Sequence, residues 1–412
     1  MQKVQSDMIE TDPLSRKPGL AQGWTIILAG FLPILAIVSL FPAVPSIIAH
    51  FRLDPGAMTK VPAMVSAPGL TIAFVAMFAG YFVDRFGRRS LLITAAAVYG
   101  FVGMAPLMLT DLDAIYVSRL LLGVPEAILL TSINTLIGDY WDGQPRRNWL
   151  ALQNMVGPFL ASGTILLSGY LTGIYWNASF AIYGMGFVIC LLSWAFIYEP
   201  RPFGSVPQQV AVSTPAQVAF PWKGVATYGL VTLLSSALYY VFIINGAIVW
   251  GEIGVTSAQE VANLSAIPSL FIIAGAVLYW LTGRWGMGPY GQITLFLGFL
   301  GIGLLLIGNA HDWRWMTAGM IVQQTGAGMA IPVLIGWAQS FLPFEHRGRG
   351  MGVWTACFFL GQFTSPLLIS LSRQAMGTMQ GAFVVAAAIG IVGAVSVGLF
   401  ATFSNHQNAD GK

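Results

Sequence analysis

Long apolar runs dominate this chain. Ten stretches contain no Asp, Glu, Lys or Arg, and each is at least as long as the roughly 20 residues that a helix needs to cross a bilayer. They cover residues 24–51, 61–83, 90–110, 148–198, 224–251, 261–283, 285–311, 315–344, 350–372 and 374–409. The stretch 148–198 has room for two spans, and residues 114–138 form another that is apolar except for Arg119 and Glu126. The pattern predicts twelve transmembrane helices.

Composition supports a membrane protein. Of the 412 residues, 56% are hydrophobic and only 8% are charged, whereas a soluble protein carries roughly 25% charged residues. The runs are about twice as long as the roughly ten-residue alternating strands of a membrane barrel. We therefore predict an all-α integral membrane protein. The net charge of +3 is too small to indicate nucleic-acid binding, and the scattered histidines predict no metal site.

Lysine and arginine are distributed unequally between the predicted loops. Such residues concentrate on the cytoplasmic side of a membrane. With the N-terminus inside, fourteen lie on the cytoplasmic side, and four lie outside, namely Arg52, Lys60, Arg314 and Arg373. We predict a multi-pass protein of the cytoplasmic (inner) membrane with both termini in the cytoplasm.

A polar connection divides the spans six plus six. It is rich in Pro, Gln and Ser, as expected of a linker. The predicted units are a cytoplasmic tail (1–22), an N-terminal six-helix bundle (23–198), a cytoplasmic linker (199–223), a C-terminal six-helix bundle (224–403) and a second tail (404–412).

The loops after spans 2 and 8 are similar to each other. Shifted by 199 residues, Arg85 falls on Arg284 and Gly87 on Gly286. The two bundles therefore look like degenerate copies, which are typical of transporters whose substrate site lies between the repeats.

The first of these loops carries a family resemblance. Residues 80–89 read Gly-Tyr-Phe-Val-Asp-Arg-Phe-Gly-Arg-Arg, which resembles the loop 2–3 signature of the major facilitator superfamily. The segment from Arg119 to Gly123 is similar to that family's R-x-x-x-G pattern in span 4. The resemblance implies two pseudo-symmetric six-helix bundles around a cavity lined by helices 1, 4, 7 and 10. It also implies transport by alternating access.

Within the family, the branch features point in two directions. Residues 44–51 at the end of span 1 and Gly157-Pro158 in span 5 resemble drug:proton antiporters. Arg119 and Glu126 in span 4 instead resemble organic-anion symporters. The paired glycines that antiporters carry after the proline are here Ala161 and Ser162.

The signature loop supplies a candidate gate. Charges at helix ends can hold two bundles together in one conformation and release them in the other. The alternative is that the arginines only set the topology. The gate residues are Gly80, Asp84, Arg85, Gly87, Arg88 and Arg89.

Glu126 is the candidate proton carrier. It lies near the centre of span 4 and is the only acid in the middle of any predicted span. A charge there costs roughly 3 kcal/mol unless it faces a cavity or a partner. Desolvation favours the neutral acid, as a proton carrier requires. The alternative is a carboxyl that binds substrate or serves packing.

Other polar side chains in the spans are candidates for the substrate cavity. Arg119 lies two helical turns before Glu126 on the same face, where it can bind an anionic group or only bond helix carbonyls. The uncharged candidates can also bond neighbouring helices instead. They are Asn134, Tyr239, Tyr240, Asn245, Gln323 and Gln324.

These features predict a secondary active transporter of a small organic solute. We expect proton coupling and favour export, and the alternative is a proton symporter that imports an organic anion such as an aromatic or carboxylic acid. The chain has no P-loop and no catalytic constellation, so we predict neither an ATP-driven pump nor an enzyme, and no cofactor. The expected partners are the substrate, protons and the lipid bilayer, without nucleic acid, and we expect a monomer.

Overall fold

The structure, a computed structural model, describes residues 18–200, 219–343 and 346–410, with side chains except those of Asp84 and residues 403–410. These described residues form helices and contain no β-strand. Twelve of the helices are long and apolar enough to cross a membrane. The prediction of an all-α fold with twelve spans is therefore confirmed. The predicted linker lies mostly outside the described residues.

Six helices form the N-terminal half. The first is interrupted by a short 3-10 turn at Phe41–Ala43. Pro42 in this turn has no backbone N–H to donate to a helical hydrogen bond. The helices are α1 (Leu20–His50), α2 (Ala57–Phe86), α3 (Arg88–Leu107), α4 (Leu112–Tyr140), α5 (Gly143–Ile174) and α6 (Ala178–Phe196).

Six further helices form the C-terminal half. They are α7 (Trp222–Glu252), α8 (Ala258–Arg284), α9 (Pro289–Gly308), α10 (Trp313–Ser340), α11 (Arg347–Met376) and α12 (Met379–Asp410).

Two local features repeat between the halves. Gly87 and Gly286 both have positive φ, at 85° and 77°, a region that glycine enters without strain. Helices α4 and α10 both begin at an aspartate whose carboxylate accepts a hydrogen bond from a first-turn N–H, Asp111 from Ala114 and Asp312 from Trp315, each at 2.8 Å. The halves therefore share the loop geometry that their sequences predicted.

The halves contact each other through α2 with α11 and α5 with α8. The Thr59 and Ser370 hydroxyls lie 2.8 Å apart, and the Ser162 hydroxyl donates to the carbonyl of Ala266 at 2.9 Å. All four residues lie in the helix halves remote from the chain termini. The two bundles are therefore closed against each other at that end.

Toward the end that carries the chain termini, one face of α2 becomes exposed. Ala67 of α2 is buried, whereas Phe74 and Phe78 are both 60% exposed. These residues lie 7 and 11 positions after Ala67, on the same helix face. This face of α2 is thus exposed along the stretch that leads to the Gly87 loop.

Candidate functional site

Glu126 lies at the midpoint of α4, fourteen residues from both Leu112 and Tyr140. Its side chain is 2% exposed, and its Oε1 has no hydrogen-bond partner among the described residues. It lies within electrostatic range of Tyr240 on α7, which belongs to the other half of the protein. Glu126 therefore lies near α7 of the other bundle.

Arg119 is fully buried and holds helices together. Its Nη2 donates to the carbonyls of Val102 and Gly103 at 2.8 and 2.9 Å, near the end of α3. Its guanidinium carbon lies 5.2 Å from the Phe180 ring and 4.9 Å from the Tyr183 ring. The bonds of Nη2 favour the structural alternative, whereas the buried Nη1 has no hydrogen-bond partner among the described residues.

Two tyrosines, which the sequence did not single out, fix α1 beside this group. The Tyr99 hydroxyl donates to the carbonyl of Leu32 at 2.8 Å, and the Tyr183 hydroxyl donates to that of Ala36 at 2.5 Å. Both rings are fully buried, and Tyr99 lies within electrostatic range of Glu126. These two bonds thus join α1 to α3 and α6 near Glu126.

An aromatic cluster lies across α7 and α11. The Tyr239 and Tyr240 rings meet edge to face at 4.8 Å, and Phe358 lies 5.7 Å from Tyr240. Trp354 stacks on Phe358 at 5.2 Å, and its buried indole Nε1 has no partner among the described residues. The cluster offers ring faces and one unused donor, a combination that suits an aromatic solute with a polar substituent. Sequence reasoning named the tyrosines but missed Trp354 and Phe358.

The amide candidates do not converge on one point. Asn245 is buried and donates to a carbonyl of its own helix at 3.2 Å. Gln323 packs against Gly303 of α9, so close that a Cβ on this glycine would lie 2.6 Å from the Gln323 Cα. Gln324 donates to Gln323 at 3.1 Å, and Asn134 is exposed. Gln323 and Gln324 thus bond each other beside α9, inside the C-terminal half.

The arginines after α2 are bound within the N-terminal half. Arg88 pairs with Asp139 at the end of α4, with Nε and Oδ2 3.0 Å apart. The Glu199 carboxylate accepts the backbone N–H groups of Arg88 and Arg89 at 3.0 and 2.9 Å. The Arg89 Nε donates to the carbonyl of Ile197 at 2.6 Å. These bonds join the start of α3 to the ends of α4 and α6.

The other gate candidates have local contacts. Arg85 donates to the Tyr81 hydroxyl at 2.9 Å. A Cβ on Gly87 would lie 3.0 Å from the Glu199 Oε2, whereas one on Gly80 would meet nothing within 4 Å. The side chain of Asp84 lies outside the described part, so its role as a gate between the bundles stays a prediction.

Sequence comparison identifies the family. Residues 26–308 and 242–411 match the profile of the Major Facilitator Superfamily. The chain belongs to this superfamily, which confirms the resemblance seen in the loop after α2.

Individual relatives are transporters. The chain is 24% identical to the 4-hydroxybenzoate transporter PcaK of Pseudomonas putida, over 96% of each chain. It is 28% identical to the multidrug efflux pump LfrA of Mycolicibacterium smegmatis, over 59% of this chain and 50% of the pump. In fold it is similar to the nucleoside transporter NupG, with a TM-score of 0.72, 13% identity and coverage of 91% and 98%. The chain is thus a membrane transporter of organic solutes and not an enzyme.

Proposed function

We propose that this protein carries out proton-coupled transport of a small aromatic organic solute, with Glu126 as the proton-carrying group. The observation that carries the proposal is the position of Glu126, buried at mid-span and within electrostatic range of Tyr240 of the other half. The protein would act as a monomer in the cytoplasmic membrane.

The surroundings of Glu126 support a proton-carrying role. The nearest strong cation in its helix, Arg119, is already bound to two carbonyls. A charged carboxylate without its own partner is costly in such a place, whereas the neutral acid is tolerated far better. When the bundles part, water can reach the carboxyl and accept the proton. This coupling of protonation to conformation is what a proton-driven transporter needs.

Two directions of transport have separate support. Likeness to PcaK over the whole chain supports symport of protons with an aromatic acid. Likeness to LfrA over part of the chain, together with Gly157-Pro158 in α5, supports export in exchange for protons. We favour symport because the first likeness includes both halves, and we keep export as the second candidate.

Transport in proteoliposomes tests the function and its direction. With an acidic exterior, we expect radiolabelled 4-hydroxybenzoate or a related aromatic acid to accumulate inside, and a protonophore to abolish the accumulation. Accumulation only with an acidic interior would support export. The proposal is wrong if no aromatic compound in a panel of acids and amphipathic drugs responds to either gradient.

The orientation of the chain is tested separately. Because fourteen basic residues lie on the predicted inner side, a reporter active only in the cytoplasm should work when fused after Lys412. A reporter active only outside should work when inserted at Gly377, in the turn between α11 and α12, where a side chain meets nothing within 4 Å. The opposite pattern of reporter activity would reverse the proposed topology.

A further inference from the structure

A cavity lies where α8 turns into α9, at the end of the bundle that also carries the chain termini. Its volume is about 420 Å³, and its lining includes Trp280, Arg284, Met287 and Gln292. Arg284 is the cationic residue of this lining, which contains no acid. Gln292 closes one wall by donating to the Thr282 hydroxyl at 3.1 Å.

Arg284 has an aromatic neighbour but no counter-ion within the described part of the chain. Its guanidinium carbon lies 4.9 Å from the Trp280 ring, and no acidic side chain pairs with it among the described residues. The side chain is exposed. A positive charge beside a cavity without acids attracts an anion.

The N-terminal half shows what an anion does at the corresponding place. There the loop after α2 has the same positive-φ glycine, and the Glu199 carboxylate accepts two N–H groups at the start of α3. In the second half, α12 begins 201 residues after α6, and the same shift places Phe400 at the position of Glu199. The first turn of α9 contains no acid, and its N-cap residue, Gly288, has no side chain to accept a bond. Pro289, the first residue of α9, has no backbone N–H to donate. Among the described residues, the second copy therefore lacks an acid that corresponds to Glu199.

The outer face of α8 indicates the source of the missing charge. Val277 and Trp280 are 49% and 55% exposed, and they precede Arg284 on one helix face, at spacings of seven and four residues. This face of α8 forms an apolar strip, and the strip ends at the guanidinium of Arg284. Such an arrangement can hold an acyl chain along the strip and a headgroup at its end.

We propose that the α8–α9 cavity binds the phosphate headgroup of an anionic phospholipid, which brings a negative charge to this loop as Glu199 does in the N-terminal half. The guanidinium of Arg284 pairs with the phosphate, and the acyl chain lies along Val277 and Trp280. This site is separate from Glu126 and does not depend on the identity of the transported solute.

Lipid binding to the purified full-length protein in detergent tests this site. Wild-type protein should bind phosphatidylglycerol more tightly than phosphatidylcholine. Arg284→Gln should weaken phosphatidylglycerol binding by at least about tenfold, because the charge-assisted hydrogen bonds from the guanidinium to the phosphate are lost. Arg314→Gln is the matched control, since Arg314 also stacks on a tryptophan, Trp313 at 5.3 Å, but at the opposite end of the bundle.

A second variant introduces an acidic side chain at the N-cap of α9, where the wild-type protein has Gly288. Gly288 has a φ of −69°, and a Cβ there meets nothing within 4 Å, so Gly288→Asp should fold. Its carboxylate should cap α9 and repel the phosphate, so the preference for phosphatidylglycerol should be lost. This readout stands even if Arg284→Gln is unstable. Three results would overturn the proposal: no preference in wild type, the same preference in both variants, or Arg284-dependent binding of inorganic phosphate as tight as that of the lipid.

Discussion

Replacing Glu126 by Gln is expected to abolish accumulation of substrate driven by a pH gradient. Gln keeps the size and shape of the side chain but cannot bind and release a proton. Uptake into proteoliposomes under an imposed pH gradient measures the effect, which should fall to the level of passive equilibration. Exchange of substrate between equal internal and external pools should survive, because it requires no net proton movement.

The expected effect is large because of where the carboxyl lies. Glu126 is 2% exposed at the centre of α4, where an unpaired charge costs about 3 kcal/mol. The change of the empty transporter from one conformation to the other therefore requires a defined protonation state of Glu126. A variant that is permanently neutral at this position loses the link between proton and substrate.

Glu252 provides the matched control. Its carboxylate lies at the end of α7 and accepts the backbone N–H groups of Met379 and Gln380 at 2.7 and 2.8 Å. Glu252→Gln should therefore lower the stability of the protein while leaving the dependence on the pH gradient intact. If Glu126→Gln still concentrates substrate with normal pH dependence, Glu126 has a structural role.

The sequence was sufficient to predict the order of the helices and the signature loop. A run of about 20 apolar residues is enough to identify a span. The turn after α2 is indicated by Gly87, whose positive φ is a local property of the chain. The repeat at Gly286 was visible for the same reason. Such features depend on neighbours in the chain, so a pattern of residues suffices to find them.

The partners of the buried polar groups could not be predicted in this way. In helices that are apolar on every face, the hydrophobic residues show no periodicity, so the sequence does not indicate which face points into the bundle. The sequence therefore could not show that Gln323 packs against α9. The two carbonyls that bind Arg119 belong to another helix, α3, and are backbone atoms without a side-chain signal. Glu199 lies 110 residues from Arg89, whose N–H it accepts. These contacts depend on how the helices assemble.

Closure of the end remote from the termini depends on Gly169 of α5. A Cβ at this position would lie 2.3 Å from the Cβ of Ala262 and 2.8 Å from the carbonyl oxygen of Ala258, both on α8. Carbon atoms pack best at about 3.5–4.0 Å, so any larger residue forces the two helices apart. Because α5 and α8 belong to different bundles, the steric conflict exists only when this end is closed.

Gly169→Val is therefore expected to disfavour the closed conformation at this end and to impair transport. Overpacking a close interface costs about 1–3 kcal/mol. A free-energy change of this size shifts the ratio of two conformations by roughly five- to 150-fold. Gly163→Val is the matched control on the same helix. It also replaces a helical glycine by valine, but a Cβ at Gly163 meets nothing within 4 Å.

Labelling of a buried thiol measures the shift. In a chain with Cys190→Ala and Cys357→Ala, the substitution Ser66→Cys places a thiol on α2, where Ser66 is fully buried and its hydroxyl lies 3.4 Å from the carbonyl oxygen of Phe363 on α11. In the Gly169→Val protein, a membrane-impermeant maleimide should react with this thiol much faster than in the Gly163→Val protein. Because Ser66 lies at the other contact between the bundles, a faster reaction shows that the whole end has opened. Equal rates in the two proteins, with normal transport by both, would mean that α5 and α8 need not approach this closely during the cycle.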